Sequence, residues 1–165
     1  MLFMKILGID PGMAIVGYCI LEYDGKTSTL LHSGSIQTSK DHKEGERLKE
    51  IYQDLKTIIG KYKPDVCAIE KLFFFKNLTT VMPVAHARGV ILLALEDFEL
   101  PVYEYTPIEV KQILTGYGRA TKKEVEQMVK ISLGTDNLPK LDDTVDAIAI
   151  AICYTRSNAI LDKYR

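Results

Sequence analysis

Four acids in this chain sit where a carboxylate is hard to explain as surface decoration. Asp10 closes the apolar run 5–9, Glu70 closes a second run at 65–69, and Asp143 and Asp146 are three residues apart at the start of an apolar helical pattern. A strand buried on both faces excludes ionised side chains from its middle but can present one at its end. Helical positions i and i+3 face the same way. Converging carboxylates repel one another strongly unless divalent cations neutralise them. An all-oxygen set with no His or Cys nearby suits Mg²⁺ or Mn²⁺ better than zinc. Two such ions about 4 Å apart stabilise both the attacking water and the leaving oxygen of a phosphodiester, the chemistry of many nucleases. Two alternatives stay open. Asp10-Pro11-Gly12 is also an ordinary turn, and Asp142, four residues before Asp146, could ligate or could simply cap the helix.

The elements that must position these acids can be read in order. Residues 5–9 predict a central strand whose terminal Asp10 faces solvent at the rim of the sheet. Asp24-Gly25 predicts a two-residue hairpin between strands 14–23 and 29–37, so the first three strands form an antiparallel meander. Leu48, Ile51, Tyr52, Leu55, Ile58, Ile59 and Tyr62 recur at helical spacing, and Lys63-Pro64 ends that helix. A strand at 65–69 follows. Residues 77–98 read as a helix that Pro83 starts or kinks, apolar nearly all round between 90 and 95 and therefore buried or shared with a partner. After a strand at 100–105, Thr106-Pro107-Ile108-Glu109 and Thr121-Lys122-Lys123-Glu124 are capping boxes that start two more helices. A final helix covers 142 to about 156. Three hairpin-linked strands followed by alternating helix and strand make an α/β domain with a mixed five-stranded sheet flanked by helices.

Composition sets further bounds. A chain of 165 residues, 47% hydrophobic, can bury a core as a single domain over 1–165 without disulfides. Cys19, Cys67 and Cys153 lie singly in apolar segments and form no Cys-x-x-Cys. They read as core residues in a reducing cytoplasm, not as a disulfide framework or zinc site. No stretch approaches the ~20 apolar residues of a membrane span. With a net charge of −1, any DNA contact must be a local patch. One exists between 106 and 123, where Lys111, Arg119, Lys122 and Lys123 face Glu109 alone, and where Gly116 and Gly118 flank Tyr117. Phe73, Phe74 and Phe75 cannot all point inward from one strand. His32 and His42 read as surface residues, and His86 as an interface or packing residue.

MKILGIDPG at 4–12, AIEKLFFFKN at 68–77, ARG at 87–89, EYTPIEVKQILTGYGRATK at 104–122 and DDTVDAIAIAI at 142–152 occur in order along the chain. Together they resemble the RuvC family of Holliday junction resolvases. The resemblance implies an RNase H-like fold and a homodimer that uses divalent metal, two Mg²⁺ per site with Mn²⁺ as a substitute, to nick opposing strands of four-way junction DNA. It implies RuvA and RuvB as partners. It puts the catalytic, metal-binding acids on Asp10, Glu70, Asp143 and Asp146, with Lys122 beside the scissile phosphate. DNA contacts are expected at Phe73, Lys76, Lys111, Arg119, Lys122 and Lys123, Phe73 probing the crossover. Lys71 departs from the glutamine common after the catalytic glutamate. Pro83 and His86 depart from the usual residues of the long helix. A tail at 157–165 is expected to be disordered. The competing readings are a ribonuclease H acting on RNA–DNA hybrid and a junction-binding protein that does not cut.

Overall fold

β1 (Met4–Asp10) is the middle strand of a five-stranded sheet in the computed structural model, which describes residues 3–72 and 78–158. β2 (Ile15–Tyr23) and β3 (Ser28–Gln37) extend it antiparallel on one side; β4 (Val66–Glu70) and β5 (Val102–Tyr105) run parallel to it on the other. α1 (Glu44–Tyr62) and α2 (Leu78–Glu96) cover one face. α3 (Pro107–Thr115), α4 (Lys122–Leu133) and α5 (Asp142–Ser157) cover the other.

The period-two alternation of the strands decides where the acids point. Leu7, Ile9, Cys67 and Ile69 enter the core shared with α1 and α2, whereas Ile6, Val66 and Ala68 enter the core beneath α5. Asp10 and Glu70 continue the second series, so both carboxylates rise toward α5. Ile6, Leu7, Ile9 and Ile69 are fully buried, each worth roughly 1.5–3 kcal/mol relative to exposure, so the strand ends are anchored.

α5 lies unusually close to the sheet because two glycines let it. A Cβ at Gly8 would stand 2.2 Å from the Ala147 carbonyl oxygen, and one at Gly17 would stand 2.1 Å from that of Asp143. No side chain fits there.

Several details differ from the sequence reading. The β2–β3 loop is four residues, 24–27, because the Asp24 carboxylate accepts the amides of Lys26 and Thr27 at 2.8 and 2.7 Å and closes its own turn. α2 holds Pro83 internally instead of beginning there, and it ends at Glu96, with Glu99 at φ 51° in the connection that follows. Ser157 is still helical. His32 is half-buried, bonded to the Tyr18 hydroxyl at 3.0 Å and stacked on Tyr62. Phe73, Phe74, Phe75 and Lys76, and positions 159–165 of the tail, lie outside the described residues.

Candidate active site

Asp10 is 9% exposed and therefore buried, not solvent-facing as its turn context suggested. The cause is α5, whose first turn rests on Gly17 and roofs the end of β1. Burial pushes the Asp10 carboxyl up to about 9, reinforced by a hydrogen bond to the Glu70 carboxyl and by the charges of Glu70, Asp146 and Asp143. Asp146 is also raised, by burial first; Lys122 pulls it the other way, and Glu70, Asp143 and Asp142 add to the rise. Four carboxyl groups from β1, β4 and α5 thus share one electrostatic environment.

Asp142 stands apart. It is exposed and holds the Lys122 ammonium at 3.0 Å, and it is absent from the charges that raise Asp10. Asp143 therefore bears on Asp10, whereas Asp142 bears only on Asp146 and turns outward to Lys122. That pairing is the first cause of the raised Lys122 pKa, with smaller contributions from Asp146 and Asp143.

A cleft of about 270 Å³ opens between α3, α4 and α5, lined among others by Glu70, Lys111, Lys122 and Asp146. It joins two of the acids to two of the expected cations. Capping holds those helices in place. Thr106 and Glu109 reciprocally cap α3, Thr121 and Glu124 cap α4, and both glutamates are turned back onto their own helix starts. Arg119 and Lys123 are exposed on the same α3–α4 unit, so the cations project outward while the neighbouring acids are engaged. The connection is braced by Thr115, whose hydroxyl donates to the Lys111 carbonyl and accepts the Tyr117 amide, and by Gly116 at φ 79°.

The donor set is entirely oxygen, and a carboxyl whose charge is opposed first by burial and then by neighbouring acids calls for cationic charge, which fits Mg²⁺ or Mn²⁺. As the side chains stand, no three His, Cys, Asp or Glu groups among the described residues close round one point. To hold a divalent ion, Asp10, Glu70, Asp143 and Asp146 would have to rotate inward.

Sequence reasoning missed Arg88 and Glu104. The Arg88 guanidinium is 14% exposed and bonds the Glu70 carbonyl at 3.3 Å and Glu104 at 2.7 Å. The available signal was that Arg88 and Glu96 are the only Lys, Arg, Asp or Glu residues in α2.

Acids at the carboxyl ends of parallel strands, roofed by a helix bearing two more, on a sheet of this order define an RNase H-like nuclease architecture. The comparisons with known proteins agree. The family model described as crossover junction endodeoxyribonuclease RuvC matches residues 6–154. A relative of that name in Alkaliphilus metalliredigens is 52% identical over 93% of this chain and 94% of its own. One in Halothermothrix orenii is 49% identical over 98% of each. The Thermus thermophilus RuvC structure superposes with a TM-score of 0.88 at 32% identity, covering 95% of this chain and 96% of that one; the same protein in complex with Holliday junction substrate gives 0.89. The yeast mitochondrial Holliday junction resolvase Ydc2, 18% identical with a TM-score of 0.70, shares the fold. This chain belongs to the RuvC family of crossover junction endodeoxyribonucleases.

Proposed function

We propose that this protein resolves Holliday junctions by nicking two opposing strands symmetrically in a Mg²⁺-dependent reaction. The observation that carries this reading is the convergence of Asp10, Glu70, Asp143 and Asp146 beside Lys111 and Lys122, in a chain whose T. thermophilus counterpart was solved on a Holliday junction substrate.

Asp10, Glu70, Asp143 and Asp146 would hold the metal, Asp10 from the rigid end of β1. Bound divalent metal supplies the charge that activates water for in-line attack and stabilises the leaving oxygen. Lys122 exchanges Asp142 for the scissile phosphate and, with Lys111, stabilises the charge that develops there. Arg119 and Lys123 hold flanking phosphates, which fixes register without reading sequence. Phe73 and Lys76 follow Glu70 closely in the chain; Phe73 probes the junction near the crossover and Lys76 is a further DNA contact. No protein nucleophile enters.

Symmetric cutting needs two sites, and α2 offers the surface for a homodimer. Its inner face buries Ala87, Ile91, Ala94 and Leu95, while Met82 and Leu93 on the outer stripe remain 48% and 56% exposed. His86 and Gly89 complete that stripe. RuvA and RuvB are the expected branch-migration partners, and the cytoplasm the expected compartment; no helix among the described residues is long and apolar enough to cross a membrane.

Denaturing-gel mapping on a synthetic four-way junction, linear duplex and RNA–DNA hybrid, with Mg²⁺ or chelator, tests this reading. Paired, symmetric, Mg²⁺-dependent cuts confined to the junction are expected. Cutting of the hybrid alone would make the protein a ribonuclease H, and tight junction binding without cuts would make it a binding protein.

A further inference from the structure

The peptide unit joining Glu70 to Lys71 is held on both sides. Its amide donates to the Tyr105 carbonyl of β5 at 2.8 Å, and its carbonyl accepts the Arg88 Nε–H from α2 at 3.3 Å. The other arm of the guanidinium bonds Glu104 of β5 at 2.7 Å. Arg88 thus ties α2 and β5 to the last residue of β4 with one planar, largely buried group.

This clamp lies where the ladder ends. Glu70 pairs with Tyr105 as the final step of the β4–β5 register. A strand terminus without such a clamp frays, and the Cα–Cβ direction of its last residue wanders with the peptide plane. With both faces of the 70–71 peptide bonded, the Glu70 side chain is aimed toward Asp10, whose carboxyl it meets. Arg88 also lines a recess of about 170 Å³ with Pro11, Glu70 and Lys71, on the Glu70 side of the site. A lysine would replace it poorly, because its single ammonium nitrogen lacks the two fixed donor nitrogens with which the guanidinium reaches Glu70 and Glu104 separately.

We infer that Arg88 is a positioning residue for the metal site, aiming the Glu70 carboxylate through its backbone with Glu104 as the anchor of the guanidinium. This rests on the nuclease reading of the four acids. Since Arg88 is carried by the helix whose opposite stripe is the proposed dimer surface, the assignment also makes the geometry of Glu70 depend on the seating of α2.

Arg88→Lys keeps the charge and loses the fork; Glu104→Gln keeps the shape and loses the anchor. Mn²⁺ binding to the free protein is followed by electron paramagnetic resonance, alongside Mg²⁺ titration of junction cleavage, junction binding in chelator, and thermal melting. Arg88→Lys is expected to weaken Mn²⁺ binding about tenfold, as loss of an orienting partner typically does, and to raise the Mg²⁺ midpoint in step. Glu104→Gln moves both the same way by a smaller factor. Junction affinity in chelator stays within about twofold.

Unchanged Mn²⁺ affinity in a folded variant overturns the proposal even if cleavage falls, and loss of the cooperative melt in both variants makes Arg88 a fold determinant and overturns it too. If wild type neither binds Mn²⁺ nor cuts junctions, the nuclease reading itself fails, and that outcome is distinguishable from a silent Arg88.

Discussion

Asp10 carries the clearest conflict in the molecule: a carboxylate buried among carboxylates. Its pKa, raised from 3.8 to about 9, means the folded state holds its proton more tightly than the unfolded one. The stability it contributes is therefore full below about pH 4 and is lost as pH rises toward 9. In chelator at pH 8, Asp10→Asn is expected to be more stable than wild type by on the order of 2 kcal/mol in urea denaturation. The gap closes toward pH 4, and on adding saturating Mg²⁺ at pH 8. Equal stabilities at every pH would remove the charge conflict, and near-normal junction cleavage by the variant would remove Asp10 from the mechanism.

The neighbouring acids separate by the same physics. Asp143→Asn removes a charge from the Asp10 cluster and should reduce single-turnover cleavage by at least about a hundredfold. Asp142→Asn breaks an exposed pair with Lys122, worth about 0–1 kcal/mol, and removes the weakest of the charges that bear on Asp146, so it should leave the rate within about fivefold. The cysteines behave oppositely to reactive thiols. Burial pushes Cys19 and Cys153 up to about 12 and Cys67 higher still. A thiol reagent at pH 8 should label the native protein slowly and all three on denaturation.

Among the elements, α5 and the two glycines beneath it set the site. Gly17→Ala drives a methyl into the Asp143 carbonyl. It should cost about 2–3 kcal/mol, and cleavage should fall further than the loss of folded protein explains. Gly60, on the exposed side of α1 with open space where a Cβ would go, is the control. Gly60→Ala should gain about 0.5–1 kcal/mol with activity unchanged.

These contacts also show what the amino-acid sequence could and could not disclose. β1 and β4 were legible because each is an apolar run ended by an acid, and α3 and α4 because Thr106 and Thr121 begin capping boxes. Gly8 and Gly17 looked like ordinary strand residues, since the helix that needs them lies more than a hundred positions away. The burial of Asp10 was hidden for the same reason. Asp142 and Asp143 could not be separated because one helical step swings a side chain by about 100°, and only the docking of α5 decides which of them turns inward. Arg88 serves a backbone carbonyl, which no side-chain pattern encodes.

At the scale of the whole molecule, the near-neutral chain concentrates cations on the α3–α4 unit and leaves on α2 an exposed stripe with Met82 and Leu93 at its ends and His86, paired with Glu44 of α1, between them. If α2 forms the proposed dimer surface, Leu93→Glu should convert the protein to a monomer in analytical ultracentrifugation, with the melting temperature nearly unchanged and paired nicking lost. A variant that stays dimeric would place the interface elsewhere. Charge and shape then converge on a centre whose carboxylates come from three elements at once. The most direct measurement is an anomalous difference map from crystals soaked in Mn²⁺. Peaks between Asp10, Glu70, Asp143 and Asp146, at carboxylate distances of about 2.1 Å and with Asp142 outside the coordination sphere, are the predicted result. Saturated crystals with no peak between those acids, or with the ion held by Asp142 in place of Asp143, would contradict the account.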